Sequence, residues 1–311
     1  MGRLGIGSAL RIGDAVYVID VGDGAARQLA LALDPELTDG HAFEGVRAIF
    51  LTHLHSDHVA DYFTLLAYGG GRGLGGGGTI PVLGPGRRGA LQPAVAQQLA
   101  GEPEPPVIHP ENPTPGTVDM TRSLMAAFAL DLNDRIRDLG DAPLDTLVAP
   151  RDIALPPGVH YVPNDPKELS VEPFEVYRDE LVTVTATLVS HFPVNPSFGF
   201  RFDTPSGAVV FSGDTGPSEN LVRLATGADV LVHEVIDPDW IAGRPPAEAQ
   251  HHRTAHTAAD RVGEIAERAG VGRLVLTHIV PGTTPAEKLE IAQQGFSGEL
   301  VIGSDGMDVG L

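Results

Sequence analysis

The run Thr52-His53-Leu54-His55-Ser56-Asp57-His58 constrains this chain more than any other stretch. Four metal-capable side chains fall within six residues, directly after the apolar Val46-Arg47-Ala48-Ile49-Phe50-Leu51. Three imidazoles and a carboxylate this close crowd one another and, when protonated, repel. A bound cation is the simplest reason to gather them, because neutral imidazole and carboxylate are ligands for borderline metals such as zinc. A polar surface loop would explain one histidine but not this cluster. The side-chain period of a strand is 2, so His53, His55 and Asp57 are expected on one side as the strand ends. His58 then swings in from the following loop or first helical turn.

Three later segments repeat the form of strand, polar candidate and turn. The β-branched run from Val182 ends in Ser190-His191. Ala208-Val209-Val210-Phe211 leads into Ser212-Gly213-Asp214-Thr215. Arg273-Leu274-Val275-Leu276 leads into Thr277-His278. With these strand ends in this order, the spacing His-x-His-x-Asp-His resembles the signature of the metallo-β-lactamase superfamily. The resemblance implies an α/β fold, a four-layer αββα sandwich with a helical insertion, and a site for two zinc ions. By resemblance His53, His55 and His191 hold one metal, Asp57, His58 and His278 hold the second, and Asp214 bridges them. Manganese and iron stay open as alternatives to zinc. Di-iron relatives that handle oxygen usually carry a glutamate where this chain has His55, which argues against redox chemistry.

The ligand candidates span positions 53 to 278, so residues 1–311 are read as one domain. Hydrophobic residues make up 42% of the chain, ample for a core. There is no cysteine, so any metal must sit on histidine and carboxylate. The formal charge is −20, from 41 acidic against 21 basic residues. This balance argues against a nucleic-acid partner, which relies on Lys and Arg neutralising phosphates, and against anionic membranes. No stretch approaches the ~20 apolar residues of a membrane span, and no secretory segment follows Met1. A cytoplasmic location is the default expectation, although the family usually has a further strand before the first hairpin.

That hairpin is expected over 9–20 around Gly13-Asp14, followed by a helix from Ala25 to Leu33. Helical spacing is also expected over Asp61–Tyr68, around 88–100, over Thr121–Leu139 and over Thr257–Ala269. Gly69 to Gly78 holds eight glycines in ten residues and reads as a flexible loop, one able to move beside the site. Pro143 to Asp165 reads as irregular. Residues 101–168 are taken as an insertion, either capping the active site or decorating the surface.

Two further motifs narrow the resemblance. Val230-Leu231-Val232-His233-Glu234 and His256-Thr257-Ala258-Ala259-Asp260 are similar to motifs of the ribonuclease Z and arylsulfatase-like branch. That similarity implies that Glu234 orients His256, and that His256 acts as acid or oxyanion stabiliser at the leaving group. Asp57 could orient the attacking water, whose pKa two metals lower toward ~7. His233 is expected to be a core histidine. Asp20 and Thr52 either support the ligands from behind or make ordinary strand-end hydrogen bonds. The chain departs from ribonuclease Z after His278: it reads Ile279-Val280-Pro281-Gly282, without the Arg-Tyr pair that helps hold phosphate. No basic arm for tRNA is evident either, since the glycine-rich stretch carries only Arg72.

The leading expectation is a dinuclear hydrolase of a small-molecule ester-like substrate: a phosphodiester, sulfate ester, lactone or carboxylic ester. The Phe192-Pro193-Val194-Asn195-Pro196 loop would help shape its pocket. The alternatives are a tRNA 3′-processing endonuclease and a non-catalytic binding protein on the same fold; β-lactam hydrolysis is the weakest. A homodimer is expected from the branch.

Overall fold

The computed structural model describes residues 3–36, 40–94 and 101–311. Among the described residues twelve strands form two sheets. The first contains β1 (Ser8–Ile12), β2 (Ala15–Ile19), β3 (Val46–Phe50), β4 (Ile80–Pro85) and β5 (Val148–Ile153), in that spatial order. The second contains β6 (Phe174–Arg178), β7 (Thr183–Leu188), β8 (Phe198–Thr204), β9 (Gly207–Phe211), β10 (Val230–Ile236), β11 (Arg273–Val280) and β12 (Glu299–Ile302), also in sequence order across the sheet. In the first sheet β1 is antiparallel to β2 and the rest are parallel. In the second, β9 to β12 run parallel, while β6 to β9 are antiparallel.

Strand alternation builds the layers. Ala15, Tyr17 and Ile19 of β2 face inward, where they join Phe50 and the second sheet's Phe198, Phe200 and Phe202. Val16 and Val18 point the other way, onto the helices Ala25–Leu33 and Tyr62–Gly69. Val210, Leu231 and Leu274 likewise meet Leu224, Val262 and Ile265 of the outer helices Glu219–Ala225 and Ala259–Ala269. The result is the expected αββα sandwich. Both faces of β2 are covered, which is why it reads as an unbroken apolar run.

The predicted hairpin and the helices over 25–33 and 61–68 lie close to where they were expected. Other elements differ. The expected helix over 121–139 is broken into Thr117–Ala127 and Ala129–Asp134, with a π-turn at Arg135–Leu139. The break falls at Phe128, whose ring packs 4.4 Å from that of Phe63. The stretch read as irregular contains β5, which pairs along its whole length with β4. Residues 88–94 form no helix, and the remainder of that expectation, 95–100, lies outside the described residues. The glycine-rich stretch lies at the end of the first sheet away from the histidine cluster. Arg72 O accepts from Phe43 N just before β3 begins, Leu74 is buried, and the segment feeds the start of β4. Among the described residues no helix is long and apolar enough to cross a membrane.

Phe50 couples the sheets, with ring centroids 5.4 Å from Phe200 and 5.1 Å from Phe202. Phe50→Ala is expected to lower unfolding stability by about 3–5 kcal/mol, through lost transfer energy and the cavity left behind, in urea denaturation.

Candidate metal centre

The strand β3 stops at Phe50, earlier than its sequence pattern suggests, because the chain turns between the sheets. Thr52 N and Thr52 Oγ1 donate to the Asp20 carboxylate, each at 2.8 Å, while Thr52 O accepts from Phe198 N in the second sheet at 2.9 Å. His53 and His55 therefore lie in a loop. Asp57 and His58 sit on the single helical turn Ser56–Val59. Two glycines permit this closure. A Cβ on Gly22 would lie 1.9 Å from Asp57 O, and one on Gly213 would lie 2.8 Å from Phe198 O. Gly213 also has φ +61°, which L side chains disfavour.

His278 is delivered by a different device. Glu234 pairs with Thr277 and Val235 with Ile279, so His278 is the extra residue of a bulge in the β10–β11 ladder. Its φ is +41°, and the bulge re-aims its ring toward the cluster. The strand then continues to Val280, so the expected turn directly after His278 does not occur.

These loops bring every predicted ligand together. The ligand atoms of His53, His55 and His191 lie within 4.8 Å of one another, as do those of Asp57, His58, Asp214 and His278. Asp214 sits among them: its carboxylate oxygens are 3.3 Å from His58 Nε2, 3.5 Å from His278 Nε2, 3.9 Å from His191 Nε2 and 4.0 Å from His53 Nε2.

The backs of three rings are already engaged. His58 Nδ1 donates to Asp20 at 2.9 Å, His191 Nδ1 donates to Ala255 O at 2.8 Å, and His53 Nδ1 lies 3.1 Å from Thr52 Oγ1. This leaves the Nε2 atoms of those three rings facing inward, while His55 turns its Nδ1 toward His191 Nε2 at 3.4 Å. His53 Nε2, His58 Nε2 and Asp214 Oδ1 are buried with no hydrogen-bond partner. Each such atom costs about 1–3 kcal/mol if left bare. A cation at the convergence would satisfy all three, and an all-nitrogen-and-carboxylate set suits zinc.

The electrostatics fit the same picture. Burial drives the His191 pKa down to about 3 and His53 well below its usual range, keeping both neutral. The hydrogen bond from His278 holds Asp57 down to about 2, despite its partial burial. Asp57 is also the exposed member, with 56% of its side chain accessible.

Glu234 and His256 adjoin the cluster. His256 Nδ1 is 3.4 Å from Glu234 Oε1 and 3.9 Å from Asp214 Oδ2. Burial alone would lower the imidazole pKa, but the charges of Glu234, Asp214 and Asp57 outweigh it and push His256 up to about 9. Glu234 Oε1 also accepts from Thr257 N at 2.9 Å, fixing the link that carries His256. His233 is fully buried, with Nδ1 donating to Glu234 O at 2.7 Å.

Sequence reasoning left Asp20 undecided, although it contacts three groups behind the site. It missed Ala255 O entirely, because a backbone acceptor leaves no side-chain signal. It also missed the helix Pro246–Ala255 that carries this carbonyl, whose Pro245-Pro246 start is a legible signal.

A model described as "Metallo-beta-lactamase superfamily" matches residues 6–128, and one described as "Beta-lactamase superfamily domain" matches 145–279. The chain is similar to the Ribonuclease Z of Mycobacterium bovis (strain BCG / Pasteur 1173P2), 29% identical over 307 residues, covering 97% of this chain and 90% of that one. Ribonuclease Z of Mycobacterium sp. (strain KMS) is 30% identical over 306 residues, covering 97% and 88%. The crystal structure of human tRNase Z, short form, shares the fold with a TM-score of 0.61 at 19% identity, covering 98% of this chain and 95% of that one. The similarity to ribonucleases Z overturns the expectation against a nucleic-acid partner. That expectation rested on net charge and on the missing Arg-Tyr pair and basic arm; net charge sums the whole surface, whereas a phosphodiester is recognised at the site where it binds.

Metal analysis of the purified protein is expected to return two ions per chain, and Asp214→Ala to return fewer. Chelation is expected to lower the wild-type melting temperature, because it strips the only partners of three buried polar atoms.

Proposed function

This chain is a metal-dependent hydrolase of the metallo-β-lactamase superfamily, in its ribonuclease Z branch, and from that premise we propose that it is an endonuclease that removes 3′ trailers from tRNA precursors. The observation that carries this reading is the similarity to ribonucleases Z across 97% of the chain. The site has the parts such a cut needs.

His53, His55 and His191 would hold one zinc ion, Asp57, His58 and His278 a second, and Asp214 would lie between them. Zinc there supplies Lewis-acid polarisation of the phosphoryl oxygen and water of lowered pKa. The remaining work falls to the chain's own residues. Asp57 is anionic and solvent-facing, so it can orient the attacking water and take its proton at a carboxylate oxygen. His256 faces Glu234 and Asp214 through Nδ1, which favours the imidazolium and leaves Nε2 to donate to the departing sugar oxygen. Glu234 holds that ring in place and stabilises its charge. Without the Arg-Tyr pair, the scissile phosphate depends more heavily on the ions and His256.

A trailer-bearing tRNA precursor incubated with the zinc-loaded protein is expected to be cut once, leaving a 3′-hydroxyl on the tRNA. Intact precursor alongside rapid turnover of sulfate esters, lactones or aryl esters would replace this reading with that of a small-ester hydrolase. His256→Ala is expected to lower kcat by about 10²–10⁴-fold. The acid must be protonated to act, so kcat should fall as pH rises through the His256 pKa, which the chain alone places at about 9. Zinc ions held beside the ring would shift this limb downward. Glu234→Gln should move it lower still, and His256→Ala should abolish it.

A further inference from the structure

A run of flat side chains leads from the candidate metal centre to the surface. The His278 and His256 rings lie nearly parallel, with centroids 6.0 Å apart and planes at 15°. His252, one turn back on the helix Pro246–Ala255, has its ring 5.8 Å from that of His256. Trp240, on the helix Pro238–Ala242, is 4.9 Å from His252, and the Arg244 guanidinium lies 4.5 Å over the Trp240 ring. Trp240 is half-buried on Ile236, Ile241 and Val280, while Arg244 is exposed. His252 Nδ1 is buried without a hydrogen-bond partner.

We infer that Trp240, His252 and Arg244 form a stacking surface for an unpaired nucleobase on the leaving-group side of the cut bond. The inference rests on the endonuclease reading above. Direction follows from His256: it donates to the leaving oxygen, and the run continues from His256 away from the ligand cluster. What meets the run is therefore the nucleotide bonded to that oxygen. The chemistry follows from the residue types. Every base has a π-face, an indole or imidazole can stack on it, and a guanidinium adds a cation–π contribution. Stacking needs no net charge, so such a surface is compatible with a chain of net charge −20.

Trp240 is the chain's single tryptophan, so its emission reports this surface alone. The test titrates zinc-loaded protein with a short single-stranded RNA carrying a non-hydrolysable scissile linkage. A matched RNA is abasic at the nucleotide on the leaving-group side. The intact RNA is expected to quench the emission and to bind about 10-fold tighter than the abasic one, with a shallow salt dependence. Trp240→Leu, which keeps the apolar packing, should raise KM on the tRNA precursor by about 10-fold and leave kcat nearly unchanged. His252→Ala should raise KM in the same sense, in case the leucine variant fails to fold. Equal binding of intact and abasic RNA, or unchanged KM in both variants, would overturn the stacking surface while leaving the endonuclease intact. Absence of any RNA cleavage would overturn the endonuclease; the quenching comparison would still decide the surface.

Discussion

The carboxylate of Asp20 is the interaction on which the rest of the site depends. It is 2% exposed and sits at the end of β2 with φ +58°, in the left-handed region. That conformation costs a residue with a Cβ about 1–3 kcal/mol and persists only where the surroundings fix it. Here they do. The carboxylate takes Thr52 N, Thr52 Oγ1 and His58 Nδ1 together, and Asp20 N donates to Phe50 O. A desolvated carboxylate is tolerable when its lone pairs are filled this way, and such charge-assisted bonds are strong. One side chain thereby stops β3, turns the chain toward the second sheet and sets which nitrogen of His58 faces the cluster.

The candidate site was more legible in the sequence than the path of the chain around it. Histidine and aspartate bunched after apolar runs are conspicuous, because few folds gather so many ligand groups without a cation. All seven predicted ligand residues, with Glu234 and His256, meet in one place. The manner of delivery was not legible. A bulge at His278 depends on the register of two parallel strands far apart in sequence, and no local pattern marks it. The early end of β3 depends on a carboxylate more than thirty positions away.

The fold was legible where burial is regular. Apolar runs located β2 and β3, and helical patterns located the first helices, because each is regularly buried. The missed β5 reads Val148-Ala149-Pro150-Arg151-Asp152-Ile153, with a proline and two charges. It is an edge strand of its sheet, where proline and charge are best tolerated, so its composition hides it. The break at Phe128 is likewise tertiary, set by the Phe63 ring on another helix. Whole-chain charge misled most about a nucleic-acid partner, since a sum over the surface says little about one site.

The two family models match separate halves of the chain, and the cluster draws on both. His53, His55, Asp57 and His58 come from the first half; His191, Asp214 and His278 come from the second. With ions held as proposed, the centre is a cross-link between halves in a chain that has no cysteine to form one. Closing so long a loop costs little more entropy than closing a short one. Ions that bind only the assembled sandwich favour that state by mass action. Scarcity of the metal would then deplete the folded protein as well as its activity, so that supply of the ion governs abundance and catalysis together.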